Sequence, residues 1–374
     1  MGALESDKRI VLTLDAGGTN FRFCAMRGLQ PVTPTTALPS CADDLDRCLN
    51  NIIEGFERVR RQCARPPVAI SFAFPGPADY EDGIIGDLPN LPAFRGGVAL
   101  GPLLEERFGI PVFINNDGDL FTYGEAMAGF LPYVNGLLAA AGNPKRYHNL
   151  LGVTLGTGLG GGIVRNGELF RGDNSAAGEM WLLRNKLDPL RNAEEGASIR
   201  AVRRVYAERA GMALDDAPEP KEIFAIGMGK RRGHRAAARE AFRRLGEVAG
   251  DAMANALTLV DGLAVIGGGI SGAAPLFLPA LVDELNGTYI GPDGRPFRRL
   301  IPTAFNLEDP RERRRFVGGK VRKVRVPGTR RTVRYDADRR IGVGLSRLGT
   351  SRAIAIGAYA FALKALDQNT RSSR

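Results

Sequence analysis

The chain has 374 residues, of which 44% are hydrophobic and 25% are charged, and its formal net charge is +10. This length predicts two or three domains with cores of their own, and the proportions are ordinary for a folded protein. No apolar run of about 18 residues occurs, so the sequence predicts no membrane-spanning helix.

The first residues and the cysteines both bear on the cellular compartment. The opening stretch M-G-A-L-E-S-D-K-R lacks the apolar core of a secretory signal peptide. The four cysteines form no C-x-x-C pair, which favours free thiols over a disulfide framework or a zinc site. We therefore expect a cytoplasmic location. The cysteines are Cys24, Cys41, Cys48 and Cys63.

In chain order, the first half predicts alternating strands and helices, judged from apolar periodicity and from Pro and Gly breaks. The predicted elements are a strand, turn and strand over 9–23, a helix over 43–63, a strand over 68–74, a turn at 75–77, a loop over 87–94, a helix over 101–108, a strand over 111–114 and a helix over 120–129.

The second half repeats the strand–turn–strand opening and then becomes largely helical. The predicted elements are a strand, turn and strand over 150–164, helices over 192–211 and 235–259, a buried strand over 262–270, a helix over 274–285 and a final helix over 349–367. Residues 286–345 have weak helical periodicity, alternating stretches and Pro/Gly breaks. This pattern predicts an inserted β-ribbon.

The positive charge is concentrated in one segment. Residues 295–352 hold 18 Arg and Lys against 5 Asp and Glu. Such a patch could attract nucleic acid, but it lacks regular aromatic interleaving and any nucleic-acid motif. A solvated hairpin or a subunit contact is favoured, so we expect no nucleic-acid partner. We also expect a homodimer.

Two glycine-rich segments carry the strongest chemical signal: V-L-T-L-D-A-G-G-T-N-F-R at 11–22 and L-L-G-V-T-L-G-T-G-L-G-G-G at 150–162. Each is an apolar strand that ends in a Gly/Thr turn, where backbone N–H groups can approach a phosphate without a Cβ in the way. Only the first has a carboxylate at the strand end, Asp15, which could hold Mg²⁺ through water. The pair predicts two similar lobes closing on one nucleotide.

A third glycine run, V-I-G-G-G-I at 265–270, could lie against an adenine or a ribose, although close helix–strand packing also selects glycine.

The reacting centre is predicted at N-N-D-G, residues 115–118. The Asp117 carboxylate could accept the proton of a substrate hydroxyl that attacks a γ-phosphoryl group, and Asn116 could bind neighbouring hydroxyls. The alternative is a turn with helix-capping Asp and Asn.

Two glutamates, Glu179 in S-A-A-G-E-M and Glu194 in N-A-E-E-G-A-S, could bind sugar hydroxyls as paired acceptors. Glu195 competes with Glu194 for that role. In isolation, each would be read as a surface charge or a residue at a helix N-terminus.

These motifs, in this order, resemble the ROK family of sugar kinases, which belongs to the actin-like ATPase superfamily. The matching segments are D-A-G-G-T-N-F-R, P-G-P-A-D-Y-E-D-G-I-I followed by P-N-L-P, N-N-D-G-D-L-F-T-Y-G-E, L-G-T-G-L-G-G-G-I-V, A-A-G-E-M and I-G-G-G-I. The resemblance implies an α/β protein with a duplicated ribonuclease-H-like fold and two lobes around a cleft. We expect a small lobe over 1–118, completed by the helix at 350–370, and a large lobe over 119–349 with the basic insertion at 286–345.

The resemblance also implies transfer of the γ-phosphate of ATP to a hexose, with glucose and its 6-hydroxyl as the first expectation. Mannose, fructose or an N-acetylhexosamine remains open, as does polyphosphate as the donor. By motif position Asp117 would be the general base. The substrate would be bound by Asn116, Glu179, Glu194 and Gly76. The nucleotide would be bound by Asp15, Gly17, Gly18, Thr19, Arg22, Gly156, Thr157, Gly158, Gly268 and Gly269, with Asp15 holding Mg²⁺ through water.

The chain departs from the family pattern downstream of Glu179. The family continues G-E-I-G-H, with the His touching sugar and a structural zinc, whereas this chain has G-E-M-W-L at 178–182. The Cys-rich zinc knuckle is also missing, so we expect no zinc. A sugar-sensing regulator of the same family is an alternative, but about eight residues before the first strand leave no room for its helix-turn-helix. An ATPase without a sugar substrate would not need the hydroxyl-binding residues.

Overall fold

The computed structural model describes residues 2–76, 78–86 and 92–372. Contacts between residues divide the chain into two units. Unit 1 comprises Met1–Gly129, Glu168–Ala177 and Leu348–Arg374, and unit 2 comprises Phe130–Gly167 and Gly178–Arg347. Unit 1 thus extends beyond residue 118, the expected end of the small lobe, and takes in a short later segment.

The strands are β1 (Val11–Ala16), β2 (Asn20–Arg27), β3 (Gln30–Pro31), β4 (Thr36–Pro39), β5 (Ala69–Ala73), β6 (Ala78–Asp79), β7 (Ile84–Ile85), β8 (Val98–Ala99), β9 (Val112–Asn115), β10 (Leu150–Leu155), β11 (Leu159–Arg165), β12 (Glu168–Leu169), β13 (Leu263–Gly267), β14 (Thr288–Ile290), β15 (Pro296–Arg298), β16 (Thr303–Asn306), β17 (Val321–Arg325), β18 (Thr332–Asp336) and β19 (Arg340–Leu345).

The helices are α1 (Gly2–Ser6), α2 (Leu45–Gln62), α3 (Leu100–Phe108), α4 (Asp117–Met127), α5 (Phe130–Ala140), α6 (Ile199–Ala210), α7 (Pro220–Gly227), α8 (Arg235–Val260), α9 (Ala274–Leu285), α10 (Pro310–Gly318) and α11 (Thr350–Ser372). None of the helices in the described part of the chain has both the length and the hydropathy of a membrane span.

Unit 1 is built on a sheet with the order β3-β2-β1-β5-β9, to which β4 adds beside β2. Strands β1, β5 and β9 run parallel, and β1 and β2 form an antiparallel hairpin. Helices α2 and α3 contribute to an aromatic core with Phe23, Phe56 and Phe72. Helix α11 contacts β1, β5 and β9, so the last helix of the chain covers strands from its beginning.

Helices α4 and α11 of unit 1 pack at unusually short range through two glycines. A Cβ on Gly357 would lie 2.8 Å from the Leu120 carbonyl carbon, and one on Gly124 would lie 2.8 Å from the Ala353 carbonyl carbon. Carbon atoms in contact normally stay about 3.5–4.0 Å apart. Glycine is therefore required at both positions for the two backbones to approach this closely.

Unit 2 repeats the same arrangement in the order β11-β10-β13-β19-β16. Strands β10 and β11 form the antiparallel hairpin, and β10, β13, β19 and β16 run parallel. The core contains side chains from these strands and from α6, α8 and α9. Both units thus carry a hairpin followed by parallel strands, which is the internal duplication expected from the two glycine-rich segments.

The expectation of one inserted β-ribbon over residues 286–345 is only partly right. Two separate hairpins, β14–β15 and β17–β18, are present, but β16 and β19 belong to the main sheet and α10 lies between the hairpins. The sequence did not reveal β19 as a buried strand, because it begins with an arginine and follows a charged, alternating stretch. Arg340 is neutralised by an ion pair with Asp336 at 2.6 Å.

Other differences are local. The helix predicted over 192–211 begins only at Ile199, after a short 3-10 turn at Ala193–Glu195. Helices α5, α7 and α10 were not predicted, because Pro or Gly in or beside each obscures the periodicity. The loop predicted over 87–94, including most of P-N-L-P, falls at 87–91 outside the described residues.

Candidate phosphoryl-transfer site

In unit 1 the predicted site residues gather at one edge of the sheet. Asp15 pairs in register with Ala73, and Ala73 pairs with Asn115. Because β1, β5 and β9 are parallel, their carboxyl ends share this edge, which is where open α/β sheets bind ligands. The first glycine loop, Gly76 and the N-N-D-G segment each follow one of these three strands.

The loop between β1 and β2 is held by its own backbone and by Ser40. The Gly17 N–H donates to the Asp15 carbonyl at 3.2 Å, and a Cβ on Gly17 would lie 2.8 Å from the Asn20 carbonyl oxygen. Ser40 donates from Oγ to the Gly18 carbonyl at 2.6 Å. In contrast, a Cβ on Gly18 would meet no protein atom within 4 Å. Glycine there leaves open space beside a braced backbone, as an anion site needs.

Three neighbours of this loop complete the first set of predicted residues. The Thr19 carbonyl accepts from the Ser40 N–H at 3.0 Å, and the Thr19 side chain is exposed. Arg22 lies on β2 directly opposite Asp15, and both side chains are exposed. A carboxylate and a guanidinium therefore lie opposite each other on the two strands that the loop joins.

Asp117 is the first residue of α4, and Asn116 is its N-cap. The Gly118 N–H donates to Asn116 Oδ1 and to Asp117 Oδ1, both at 2.8 Å. Solvent still reaches the Asp117 side chain, but burial among the surrounding protein atoms raises the pKa of its carboxyl, and the charge of Asp15 raises it further. The capping interpretation of N-N-D-G is therefore correct for Asn116. The other carboxylate oxygen of Asp117 has no hydrogen bond to the described residues.

Tyr80 links two of the predicted substrate residues. Its hydroxyl donates to the Phe74 carbonyl at 3.0 Å and accepts from Asn116 Nδ2 at 3.4 Å. A Cβ on Gly76 would lie 2.8 Å from the same hydroxyl. Gly76 and Asn116 thus both lie beside the Tyr80 hydroxyl, which orients the Asn116 amide. The sequence contained no signal for Tyr80 beyond its presence in P-A-D-Y-E.

In unit 2 the second and third glycine loops lie side by side at the carboxyl ends of β10 and β13. The Ile270 N–H donates to the Leu155 carbonyl at 3.0 Å. Gly268 has a φ of +86°, and a Cβ there would lie 2.6 Å from the Leu155 nitrogen. A Cβ on Gly269 would meet nothing within 4 Å, and the Cβ of Gly156 would approach only Gly269. Packing therefore explains Gly268, whereas Gly156 and Gly269 border open space.

Glu194 is held against the second loop, beside Thr157 and Gly158. Its Oε2 accepts from the Leu159 N–H at 3.1 Å, and its Oε1 contacts Arg200 Nη2 at 3.0 Å. Glu195 instead turns toward Arg200 and Arg204, whose hydrogen bonds lower its pKa. Of the two competing glutamates, Glu194 is the one that lies at the glycine loop.

Glu179 follows a segment that packs closely on β11. A Cβ on Gly161 would lie 2.5 Å from the Gly178 carbonyl oxygen, so glycine at this position of β11 makes room for the segment. The Trp181 indole N–H donates to the Glu179 carboxylate. Trp181 occupies the part of the motif in which this chain departs from the family pattern, and its role was not predicted.

The residues present fit a nucleotide with a hard divalent cation. Asp15 and Asp117 offer carboxylate oxygens near each other, and Mg²⁺ prefers oxygen ligands while keeping several waters. Gly18, Gly156 and Gly269 leave the space that phosphates or a nucleoside would fill. Among the described residues no group of three His, Cys, Asp or Glu side chains is placed to bind a metal ion by itself.

Comparison with known proteins gives one consistent family. The ROK family model matches residues 11–305. An N-acetyl-D-glucosamine kinase of Photobacterium profundum is 29% identical over 46% of the chain and 52% of its own length. A glucokinase of Thermotoga maritima is 28% identical over 75% of the chain and 90% of its own length. The chain thus spans about half the length of the first of these relatives.

One solved structure is much more similar. The crystal structure of a glucokinase from Parabacteroides distasonis is 56% identical, with a TM-score of 0.89 over 96% of this chain and 99% of that one. The fold is therefore that of the ROK sugar kinases, the duplicated α/β fold of actin-like ATPases that the family resemblance implied.

Proposed function

Because the chain belongs to the ROK family, we propose that it is a sugar kinase that transfers the γ-phosphoryl group of ATP to the 6-hydroxyl of a hexose, with glucose as the first substrate. The observation that carries this proposal is the Asp117 carboxyl at the head of α4, beside Asp15 and the braced glycine loop. The 56% identity with a glucokinase supports glucose. The similarity to an N-acetyl-D-glucosamine kinase keeps that sugar as the second candidate.

In the proposed reaction Asp117 accepts the proton of the sugar hydroxyl while the hydroxyl oxygen attacks the γ-phosphorus and ADP leaves. A raised pKa makes the carboxylate a stronger base, provided that the pH is high enough to keep it ionised. Asn116, oriented by Tyr80, would bind a neighbouring hydroxyl. Gly76, whose missing Cβ makes room for the Tyr80 hydroxyl, would place its backbone beside the sugar. Glu179 and Glu194 would accept hydrogen bonds from further sugar hydroxyls.

The phosphate-binding residues of the first glycine loop would be Gly17, Gly18, Thr19 and Arg22, and those of the second would be Gly156, Thr157 and Gly158. Gly268 and Gly269 would lie against the adenosine. Asp15 would hold Mg²⁺ through water, and the ion would neutralise phosphate charge when bound. The phosphate-binding residues, together with those expected against the adenosine, support ATP as the phosphoryl donor. Polyphosphate is the alternative donor.

The test is ADP release with ATP and Mg²⁺ across glucose, mannose, fructose, N-acetylglucosamine and N-acetylmannosamine. We expect sugar-dependent release that is largest with glucose, and a fall of kcat/KM at acid pH as Asp117 becomes protonated. Release that is independent of sugar would contradict the kinase. No release with any sugar would favour the regulator.

The variant Asp117→Asn tests the base. We expect kcat to fall about 10²–10⁴-fold while ATP binding, measured by calorimetry, is retained. The matched control is Asp46→Asn, which removes an exposed carboxylate from the first turn of α2 in the same unit. Normal turnover by folded Asp117→Asn would remove Asp117 as the base.

A further inference from the structure

Unit 2 contains a cavity of about 550 Å³ at the opposite edge of its sheet from the glycine loops. Its wall includes residues that lie one or two positions before parallel strands: His148 and Asn149 before β10, Asp261 before β13 and Arg339 before β19. The loops at Gly156 and Gly268 follow the other ends of the same strands. Since β10 has six residues, about 17 Å of strand separates the two edges.

The wall of this cavity is strongly cationic. Five of its residues are Lys or Arg, and only one carries a carboxylate, Asp261. The five cationic residues are Lys145, Arg146, Arg299, Arg339 and Arg340. Two of them are neutralised elsewhere: Arg299 pairs with Asp251 and Glu284, both at 2.5 Å, and Arg340 pairs with Asp336.

The other three cations have no carboxylate partner in the described part of the chain. Lys145 Nζ contacts the Asp338 carbonyl at 3.2 Å, and Arg146 Nη1 contacts the carbonyls of Asn143 and Lys145, both at 2.7 Å. No side-chain partner of Arg339 is present among the described residues, and its guanidinium is exposed. Burial, followed by the neighbouring charge of Arg340, lowers the pKa of Lys145, and the carboxylates of Asp261, Asp336 and Asp338 oppose the shift without cancelling it.

The remaining wall suits a small organic molecule rather than a bare ion. Leu257, Leu300 and Ile301 provide apolar surface, and the volume lies within the range of small-molecule sites. We propose that this cavity binds a phosphate monoester of about the size of a pentose or hexose phosphate. Lys145, Arg146 and Arg339 would bind the phosphate, and the apolar wall would contact the carbon skeleton. The site is independent of the proposed sugar-kinase reaction and of the glycine loops.

The experiment is calorimetric titration of the full-length protein with ribose 5-phosphate at fixed ionic strength, with ribose as the uncharged control. We expect saturable binding of the phosphate ester and none of ribose. The variant Lys145→Gln/Arg339→Gln should weaken binding at least tenfold. The matched control is Arg322→Gln/Arg325→Gln, which removes the same charge from exposed positions on β17 and should change the Kd less than twofold.

Three results would overturn the proposal. The first is the absence of saturable binding to the wild-type protein. The second is equal weakening in both double variants, because net charge alone would then account for the affinity. The third is binding only of a polyanion such as an RNA oligonucleotide, which would assign the basic surface to a macromolecule. Since Arg339 is exposed, Arg339→Gln alone tests the site if the double variant does not fold.

Discussion

Replacing Gly357 with alanine would force apart the two helices that meet in unit 1. The new Cβ would overlap the Leu120 carbonyl oxygen and would lie 2.8 Å from the carbonyl carbon, so α4 and α11 must separate by at least about 0.7 Å to restore even the carbon contact to 3.5 Å. Overpacking typically lowers the free energy of unfolding by about 1–3 kcal/mol, and we expect the upper end of this range because backbone atoms of two helices are involved. The higher helix propensity of alanine offsets about 1 kcal/mol of this loss. The expected net loss is therefore about 2 kcal/mol.

Urea unfolding followed by far-UV circular dichroism measures this loss. The matched control is Gly136→Ala in α5, where a Cβ would meet nothing within 4 Å. Only the difference in helix propensity between glycine and alanine affects stability at this position, so the control should be about 0.5–1 kcal/mol more stable than the wild type. Because α4 begins at Asp117, a shift approaching 1 Å should also lower kcat about 10–100-fold. A Gly357→Ala protein as stable as the wild type would refute the close-packing argument.

Two further predictions concern unit 2. Asp336→Asn should cost about 3–5 kcal/mol at pH 7, because Arg340 would keep a buried, uncompensated charge. Burial alone would raise the pKa of Asp336, but Arg340 and Asn143 more than offset it and hold that pKa well below its usual range. The carboxylate therefore stabilises the protein above pH about 4. The urea midpoints of the wild type and the variant should converge as the pH falls below that value. A difference between the midpoints that does not change with pH would contradict this prediction. Trp181 is the only tryptophan and donates to Glu179, so saturating sugar should change its fluorescence in the wild type but not in Glu179→Gln. Sugar-dependent ADP release with unchanged emission would argue against Glu179 as a sugar ligand.

The parts of the site that are local in sequence could be predicted, because a few adjacent residues determine them. Asp15 with its glycine loop, and Asn116 with Asp117, each occupy one strand end, and the parallel order of the strands then brings them to one edge. The duplicated sheet was predictable for the same reason, since each half begins with an apolar strand and a glycine turn.

Contacts between residues distant in the chain could not be predicted. Tyr80 reaches Asn116 across 36 positions, and Ser40 reaches Gly18 across 22. Neither pair has a sequence pattern, because the contact depends on how whole elements pack. The strand β19 was not predicted for a different reason. A charged residue at the start of a strand indicates a solvent-exposed position unless its ion-pair partner is also known to be buried, and here the partner of Arg340 lies four residues earlier.

The division of the chain into two units has a consequence for its synthesis. The chain leaves unit 1 after Gly129 and returns for good only at Leu348, and α11 then covers strands β1, β5 and β9. At about 5–20 residues per second, a ribosome would need roughly 12–50 s to make the 243 residues between Gly129 and Ser372. During that interval Val11, Met26 and Ala69 would lack the helix that buries them, so the nascent segment 1–129 would expose an apolar surface that a chaperone can bind.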